Sequence, residues 1–184
     1  MGLFSMEHGA LSYDADFAVY GIAVASGALT LLIAGPSAQA GLLGLLLMLG
    51  VVVWTLVEYL LHRFVLHRLP PFRRWHDLHH QRPKALISTP TIFSASLILV
   101  LVSLPVWIAA GPWPACAMTL GVVTGYLLYS ITHHATHHWH GRSAWLARRK
   151  RWHALHHHRL DAPGYYGVTN SFWDRVFGSA GKQA

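Results

Sequence analysis

The sequence predicts an all-α integral membrane protein with four transmembrane helices, arranged as two hairpins, and a histidine-rich helical cap on the cytoplasmic side. Three observations predict this fold. The 184 residues are 53% hydrophobic and only 11% charged, four apolar stretches are long, and 15 histidines cluster beside these stretches. A bilayer core about 30 Å thick needs about 20 apolar residues per helix. We expect residues 1–184 to form a single membrane domain.

Each apolar stretch is long enough to cross a bilayer. The four predicted spans are residues 17–34, 42–66, 92–110 and 114–131. Short breaker sequences, Gly35-Pro36-Ser37 and Gly111-Pro112-Trp113-Pro114, separate the first span from the second and the third from the fourth. Because these connections are too short to form a domain, they predict two helical hairpins.

The distribution of positive charge predicts the orientation, since lysine and arginine near span ends stay in the cytoplasm. The hairpin turns carry neither residue. All 14 basic residues lie at or after the end of the second span or after the fourth: Arg63, Arg68, Arg73, Arg74, Arg82, Lys84, Arg142, Arg148, Arg149, Lys150, Arg151, Arg159, Arg175 and Lys182. We therefore expect both termini and the histidine clusters to face the cytoplasm.

Composition also excludes several classes of protein. The single cysteine, Cys116, lies in an apolar run, so neither a disulfide framework nor a thiolate metal site is available. The formal charge of +7 flanks the membrane spans, which indicates lipid headgroups rather than nucleic acid as its partner. The N-terminal residues carry Glu7, Asp14 and Asp16 and no basic cluster, so we expect the first span to be retained rather than cleaved.

The first histidine cluster lies at the end of the second span. Glu58 and His62 are one helical turn apart, and His67 follows about one turn later. An ionisable residue at this depth is costly and is usually functional or paired, so Glu58 is a candidate for orienting a ligating imidazole. The next motif, His76-Asp77-Leu78-His79-His80, places three imidazoles on one helix face.

The same pattern recurs after the fourth span. His133 and His137 form an H-x-x-x-H pair, and His134 and His138 form an overlapping alternative pair. A second H-x-x-H-H motif follows at residues 153–157. Together the clusters predict ligands for two metal ions, each with an open position. Eight of the ten candidates are His62, His67, His76, His79, His80, His153, His156 and His157, and one of the two overlapping pairs supplies the other two.

The order H-x4-H, H-x-x-H-H, H-x-x-x-H, H-x-x-H-H resembles that of the fatty acid hydroxylase/sterol desaturase superfamily. The residues around Tyr126 and Tyr129 and the segment from Gly167 to Gly178 look closest to fatty acid 2-hydroxylases. The register of Thr132 with the family motif favours His133 and His137 over the alternative pair. Ser130 departs from the family, in which an aspartate is common at this position. Asp77 and Asp174 join Glu58 as candidates for hydrogen bonds that support the ligands.

The resemblance implies a di-iron oxygenase that uses O2 to hydroxylate a membrane lipid on its acyl chain, at the alpha carbon. Zinc cannot activate O2, although imidazole sites bind it readily and a purified sample could contain it. The sequence contains no haem-binding domain, cysteine cluster or dinucleotide motif. The resemblance therefore also implies a separate electron donor, such as a ferredoxin, a cytochrome or a reductase.

Three alternatives remain open at this point. Two belong to the same superfamily, a carotenoid ring hydroxylase and a sterol oxidase. The third is a membrane protein that stores or transports metal without catalysis. Metal transport predicts ionisable residues along the spans, and the predicted spans contain none beyond the cluster that includes Glu58, His62 and Arg63.

Overall fold

The computed structural model describes residues 7–158 and 164–181, most of which are helical. Their only extended pairing is an isolated bridge between Glu7 and Ile87. The eight helices are α1 (Ala10–Ala34), α2 (Ala40–Leu60), α3 (Phe72–Gln81), α4 (Thr91–Ile98), α5 (Leu104–Ala110), α6 (Pro112–His138), α7 (Ala144–His158) and α8 (Phe172–Val176). The predicted all-α class is confirmed. Arg159 and Lys182, used above for orientation, lie outside the described residues.

Four segments are long and apolar enough to cross a membrane, as predicted: Ala10–Ala34, Ser37–Leu66, Thr91–Ala110 and Pro112–His138. All four extend beyond their predicted bounds, the first and the last by the most residues. The first includes Asp16, which is buried and accepts a hydrogen bond of 2.5 Å from the Thr91 hydroxyl. The last continues through its histidines, because no proline or glycine follows residue 131 before His138 to stop the helix. Many apolar side chains on these segments are exposed, for example Leu32 and Ile33, as suits a lipid surround.

The chain divides into two compact units. Of the described residues, one unit contains those up to Trp54 together with Leu86–Leu127, and the other contains Thr55–Ala85 together with those from Leu128 onward. The single domain predicted from the sequence stays a prediction.

In the first unit, α2 and α6 approach each other closely at two glycines. A Cβ atom on Gly121 would lie 2.1 Å from the Leu47 carbonyl oxygen, and one on Gly50 would lie 2.5 Å from the Met118 carbonyl oxygen. Both distances are shorter than any allowed contact, so only glycine permits this approach. Small residues at such crossings are typical of membrane helix pairs.

We expect Gly121→Ala to lower the free energy of unfolding by about 1 to 3 kcal/mol, because the added methyl group pushes the two backbones apart. The measurement is the thermal unfolding midpoint of the detergent-solubilised protein. Gly44→Ala is the matched control, since nothing lies within 4 Å of its added Cβ. Equal midpoints for the two variants would contradict the close packing.

The second unit contains the histidine clusters, and a π-helical segment shapes its first part. This segment, Leu61–Leu66, continues α2 and includes His62. In a regular α-helix a spacing of five residues would leave His62 and His67 about 140° apart. A π-helical turn holds more residues, so it brings positions five apart closer to one face. The local widening of the helix therefore lets both side chains of the H-x4-H motif point the same way.

Candidate metal centre

Five imidazoles form the first histidine group: His62, His67, His76, His80 and His156. One nitrogen from each lies within 4.8 Å of all the others. The Nε2 atom of His76 is 3.0 Å from those of His62 and His67, and 3.1 Å from that of His80. The Nε2 atom of His156 is 3.1 Å from those of His67 and His80. Residues far apart in sequence thus direct the same ring nitrogen towards one point.

Two backbone carbonyls determine which nitrogen of these rings carries the proton. The Nδ1 atom of His62 donates to the Tyr166 carbonyl oxygen at 2.6 Å, and that of His156 donates to the Gly164 carbonyl oxygen at 2.8 Å. A neutral imidazole has a single N–H, so Nε2 of both rings presents a lone pair. Lone pairs that converge repel one another unless a cation lies between them.

The nitrogen separations also fit a metal ion. Ligands at right angles, with imidazole–metal bonds of about 2.1 Å, have nitrogens about 3.0 Å apart, whereas a tetrahedral set has them about 3.4 Å apart. The contacts of 3.0 to 3.1 Å in the first histidine group match the first arrangement. The five histidines of this group would hold such an ion and could leave a position open for a reactant.

The second histidine group consists of His79, His133, His137 and His153, whose ligand atoms again lie within 4.8 Å of one another. The Nε2 atoms of His133 and His79 are 3.1 Å apart, and those of His153 and His137 are 2.8 Å apart. His157 adjoins this group, since its Nε2 atom lies 3.0 Å from that of His153. All ten predicted ligands therefore lie in or beside the two groups.

The two H-x-x-H-H motifs are each divided between the groups. From α3, His76 and His80 join the first group, while His79 joins the second. From α7, His153 joins the second group, while His156 joins the first. Each half of the chain thus supplies the middle histidine of its motif to the other half's group. The two motifs repeat in the sequence, and in the structure they exchange their middle histidines. The spacing alone did not predict this exchange.

The alternative pair does not join either group among the described residues. His134 and His138 stack on each other with ring centroids 4.6 Å apart. Helical geometry explains the division, because one residue along α6 rotates the side chain by about 100°. The arrangement supports His133 and His137, and the choice between the pairs stays a prediction.

A paired substitution tests this choice. We expect His137→Ala to lose one metal equivalent per chain, because it removes a nitrogen from the second histidine group, whereas His138→Ala retains both equivalents. The measurement is elemental analysis of the purified, metal-loaded protein. Loss of metal from His138→Ala with retention in His137→Ala would reverse the assignment.

Two of the three predicted supporting carboxylates, Glu58 and Asp174, bind the backbone rather than the imidazoles. Glu58 accepts hydrogen bonds from the backbone N–H groups of Val168 at 2.7 Å and Thr169 at 2.9 Å, and from the Thr169 hydroxyl. Asp174, which is fully buried, accepts from the backbone N–H groups of Tyr166 and Gly167, each at 2.8 Å. Both carboxylates hold the segment whose carbonyl oxygens orient His62 and His156.

We call residues 164–169 the anchor segment; the sequence resemblance included Gly167–Thr169, but the contact of this segment with the histidines was not predicted. Tyr165 has φ of 59°, a left-handed conformation that is uncommon for a residue other than glycine. A Cβ atom on Gly167 would lie 2.0 Å from the Asn170 carbonyl oxygen. A strained backbone such as that of Tyr165 persists only where surrounding contacts impose it, and it is found mainly at functional sites. The one available signal was Gly164-Tyr-Tyr-Gly167, shortly after the second H-x-x-H-H motif.

Asp77 has a different environment from the two buried carboxylates. It is half exposed, and its carboxylate lies 3.7 Å from the guanidinium of Arg73, one turn earlier in α3. An exposed pair of this kind contributes little to stability. The sequence prediction that Asp77 supports a ligand stays a prediction.

Burial keeps several of these imidazoles neutral. It lowers the pKa of His67 to about 4, and the pKa of His79 and of His156 to about 3, with neighbouring histidines adding to the effect. A histidine must be neutral to bind a metal, so the lowered pKa favours binding at neutral pH.

The lowered pKa values predict a pH dependence for the metal-free protein. Between the unfolded pKa of about 6.5 and the folded pKa, the unfolded chain binds more protons, so acid favours unfolding. Stability is therefore full above about pH 6.5 and falls as the pH drops towards about 3. We expect the unfolding midpoint of the metal-free protein to be lower at pH 5 than at pH 7.5. An unchanged midpoint would contradict the neutral, buried state of these rings.

Four segments apolar enough to cross a membrane, together with two groups of imidazoles that could each hold a metal ion, are the features of a class of membrane metalloproteins. A family model described as "Fatty acid hydroxylase" matches residues 47–179, which include every histidine of both groups. The chain belongs to the fatty acid hydroxylase family.

Individual relatives agree with this assignment. The chain is 36% identical over 162 residues to "Dihydroceramide fatty acyl 2-hydroxylase FAH2" of Arabidopsis thaliana, covering 78% of this chain and 65% of the relative. It is 33% identical over 150 residues to "Ceramide very long chain fatty acid hydroxylase scs7" of Schizosaccharomyces pombe, covering 72% of this chain and 41% of that protein. The chain thus spans less than two thirds of the length of these relatives.

A solved structure shows the same fold. It is described as "Full length scs7p (only hydroxylase domain visible)" and superposes with a TM-score of 0.76 at 25% sequence identity. The match covers 95% of this chain and 67% of the other chain.

Proposed function

We propose that this protein is a membrane-bound di-iron oxygenase that hydroxylates the acyl chain of a lipid at the alpha carbon. The observation that carries the proposal is the convergence of Nε2 atoms in two neighbouring groups, since a bound cation makes such a convergence favourable. The names of the relatives, a fatty acyl 2-hydroxylase and a ceramide fatty acid hydroxylase, support the substrate class and the position of attack.

The reaction requires electrons as well as oxygen. The lipid C–H bond, O2, two electrons and two protons give the hydroxylated lipid and one water molecule. Bound iron supplies the activation of O2, which side chains alone cannot provide. A separate electron donor, such as a ferredoxin, a cytochrome or a reductase, delivers the electrons.

This chain's own residues bind and orient. The histidines of the two groups hold the metal ions through Nε2, and the anchor segment fixes the rings of His62 and His156 through its carbonyl oxygens. Tyr166 packs its ring against His62, His67 and His156, with centroids 5.4 to 5.7 Å apart, and so shields this side of the first histidine group from water. Exclusion of water strengthens electrostatic interactions at the site.

We also propose that both termini and the metal centre face the cytoplasm. The support is the absence of lysine and arginine from the connections at residues 35–39 and 111–114, against 14 such residues elsewhere. This orientation would place the metal centre where soluble electron donors can reach it.

The test is mass spectrometry of total lipids from cells that express the chain under 18O2, with an electron donor supplied. We expect acyl chains to gain one labelled oxygen, and fragment ions to place it on carbon two. Cells that express a His153→Ala, His157→Ala double variant are the control and should show no gain. An unchanged acyl pool from iron-loaded protein would refute the proposal, and labelled carotenoids or sterols would identify the alternative substrate.

A further inference from the structure

The two histidine groups correspond to each other through the internal repeat, but their surroundings differ. His156 of the first group and His79 of the second are counterparts, because each is the middle histidine of its motif. His156 donates from Nδ1 to the Gly164 carbonyl oxygen at 2.8 Å. The Nδ1 atom of His79 is buried, and no protein group in residues 7–158 or 164–181 accepts from it. The two counterparts therefore differ at Nδ1, which we call the outer nitrogen of the ring.

The same difference appears elsewhere in the groups. In the first group, His62 also donates from Nδ1 to a backbone carbonyl oxygen, that of Tyr166. In the second group, Nδ1 of His153 is buried and, within the described part of the chain, has no protein acceptor. Acceptors at the outer nitrogen fix the ring and make Nε2 a better donor to a metal. Losing such an acceptor typically costs about 10- to 100-fold in metal affinity.

The carbonyl acceptors are themselves held in place from two directions. Glu58, at the end of α2, binds the backbone of the anchor segment at Val168 and Thr169, and Asp174, in α8, binds it at Tyr166 and Gly167. Both carboxylates are at most 4% exposed. A buried carboxylate is costly unless its hydrogen bonds are made, so these bonds strongly favour one position of the anchor segment.

We propose that the two metal sites bind with unequal affinity, the first histidine group more tightly, and that Glu58 and Asp174 are positioning residues that create the difference by holding the anchor segment. This inference rests on the proposed metal centre and deepens it. The first group retains its ion when the second has lost its own, so the second group is the site of metal exchange.

The experiment uses the full chain in detergent, loaded with Zn²⁺ as a redox-inert probe. A chelator of increasing concentration competes for the metal, and elemental analysis measures the zinc retained per chain after desalting. We expect two equivalents that leave in two phases, separated by at least about tenfold in chelator concentration. His67→Ala should remove the tight phase, and its counterpart His137→Ala should remove the weak phase.

Second variants test the positioning role. Asp174→Asn places an amide donor against a backbone N–H and should shift the tight phase about tenfold towards lower chelator, leaving the weak phase unchanged. Thr169→Val removes the hydrogen bond from the Thr169 hydroxyl to Glu58 and should shift the tight phase in the same direction by a smaller factor. This variant tests the positioning role if Asp174→Asn does not fold. Asp14→Asn, at an exposed position of α1, is the matched control and should change neither phase.

The outcomes separate this inference from the proposed function. Wild-type protein that binds no zinc would overturn the metal centre itself. Two equivalents that leave in a single phase, or loss of the tight phase in His137→Ala, would overturn the unequal affinities alone. An equal shift of both phases by Asp174→Asn would overturn the positioning role.

Discussion

Replacing His156 with alanine is expected to lower lipid hydroxylation by more than about 100-fold. Loss of a group that merely supports a ligand costs about 10- to 100-fold, and His156 is a candidate ligand itself. Its Nε2 atom approaches those of His67 and His80 from the other half of the chain. Without it the first histidine group loses its only contribution from α7. Product formation by mass spectrometry and iron content per chain are the measurements.

His158→Ala provides the control for this prediction. His158 lies in the same last turn of α7, is exposed and belongs to neither histidine group. We expect this variant to retain wild-type product and iron within about twofold, since an exposed substitution away from the site has little effect. Equal losses in the two variants would indicate damage to α7 rather than to the metal site.

Asp174→Ala is expected to have the largest effect on stability. It removes the acceptor for the backbone N–H groups of Tyr166 and Gly167, for the Ser179 hydroxyl and, at 3.4 Å, for the Trp152 indole. Each buried donor left without a partner costs about 1 to 3 kcal/mol. We expect a total loss of ~3 to 5 kcal/mol, seen as a fall of about 10 °C in the unfolding midpoint.

Asp77→Ala is the comparison for this loss of stability. Its carboxylate is half exposed and pairs only loosely with Arg73 among the described residues. The expected change is at most about 0.5 kcal/mol, as for most exposed substitutions. If the unfolding midpoints of Asp174→Ala and Asp77→Ala differ by less than about 2 °C, their free energies of unfolding differ by ~1 kcal/mol or less. That result would show that the anchor segment does not depend on Asp174.

The sequence predicted the helices well because bilayer thickness and hydropathy act over long segments. Span number and class depend on about 20 residues at a time, so single polar residues do not obscure them. The ends of the spans were less accurate. The predicted first span begins after Asp16, whereas in the structure the helix contains this carboxylate, which accepts a hydrogen bond from Thr91.

The sequence predicted which residues form the site but not which of them contact one another. Histidine spacing within a helix identifies a shared face, and that was enough to select eight candidates and two overlapping pairs, between which only the family resemblance gave a preference. Spacing contains no information on which distant helix supplies the next ligand, so the exchange of His79 and His156 between the groups was not predicted. The carbonyl groups of Gly164 and Tyr166 were missed for a related reason, since any residue type can supply a backbone acceptor.

The exchange of middle histidines constrains the order of events during biosynthesis. His67 and His156 meet in the first histidine group although they lie 89 positions apart in the chain. At about 5 to 20 residues per second, His156 leaves the ribosome several seconds after His67. The second histidine group is likewise incomplete until α6 and α7, which supply the partners of His79, have been translated. Neither group has its complete set of donors in a nascent chain, so under the proposed function we expect metal insertion to be a late step that follows translation of all four membrane helices.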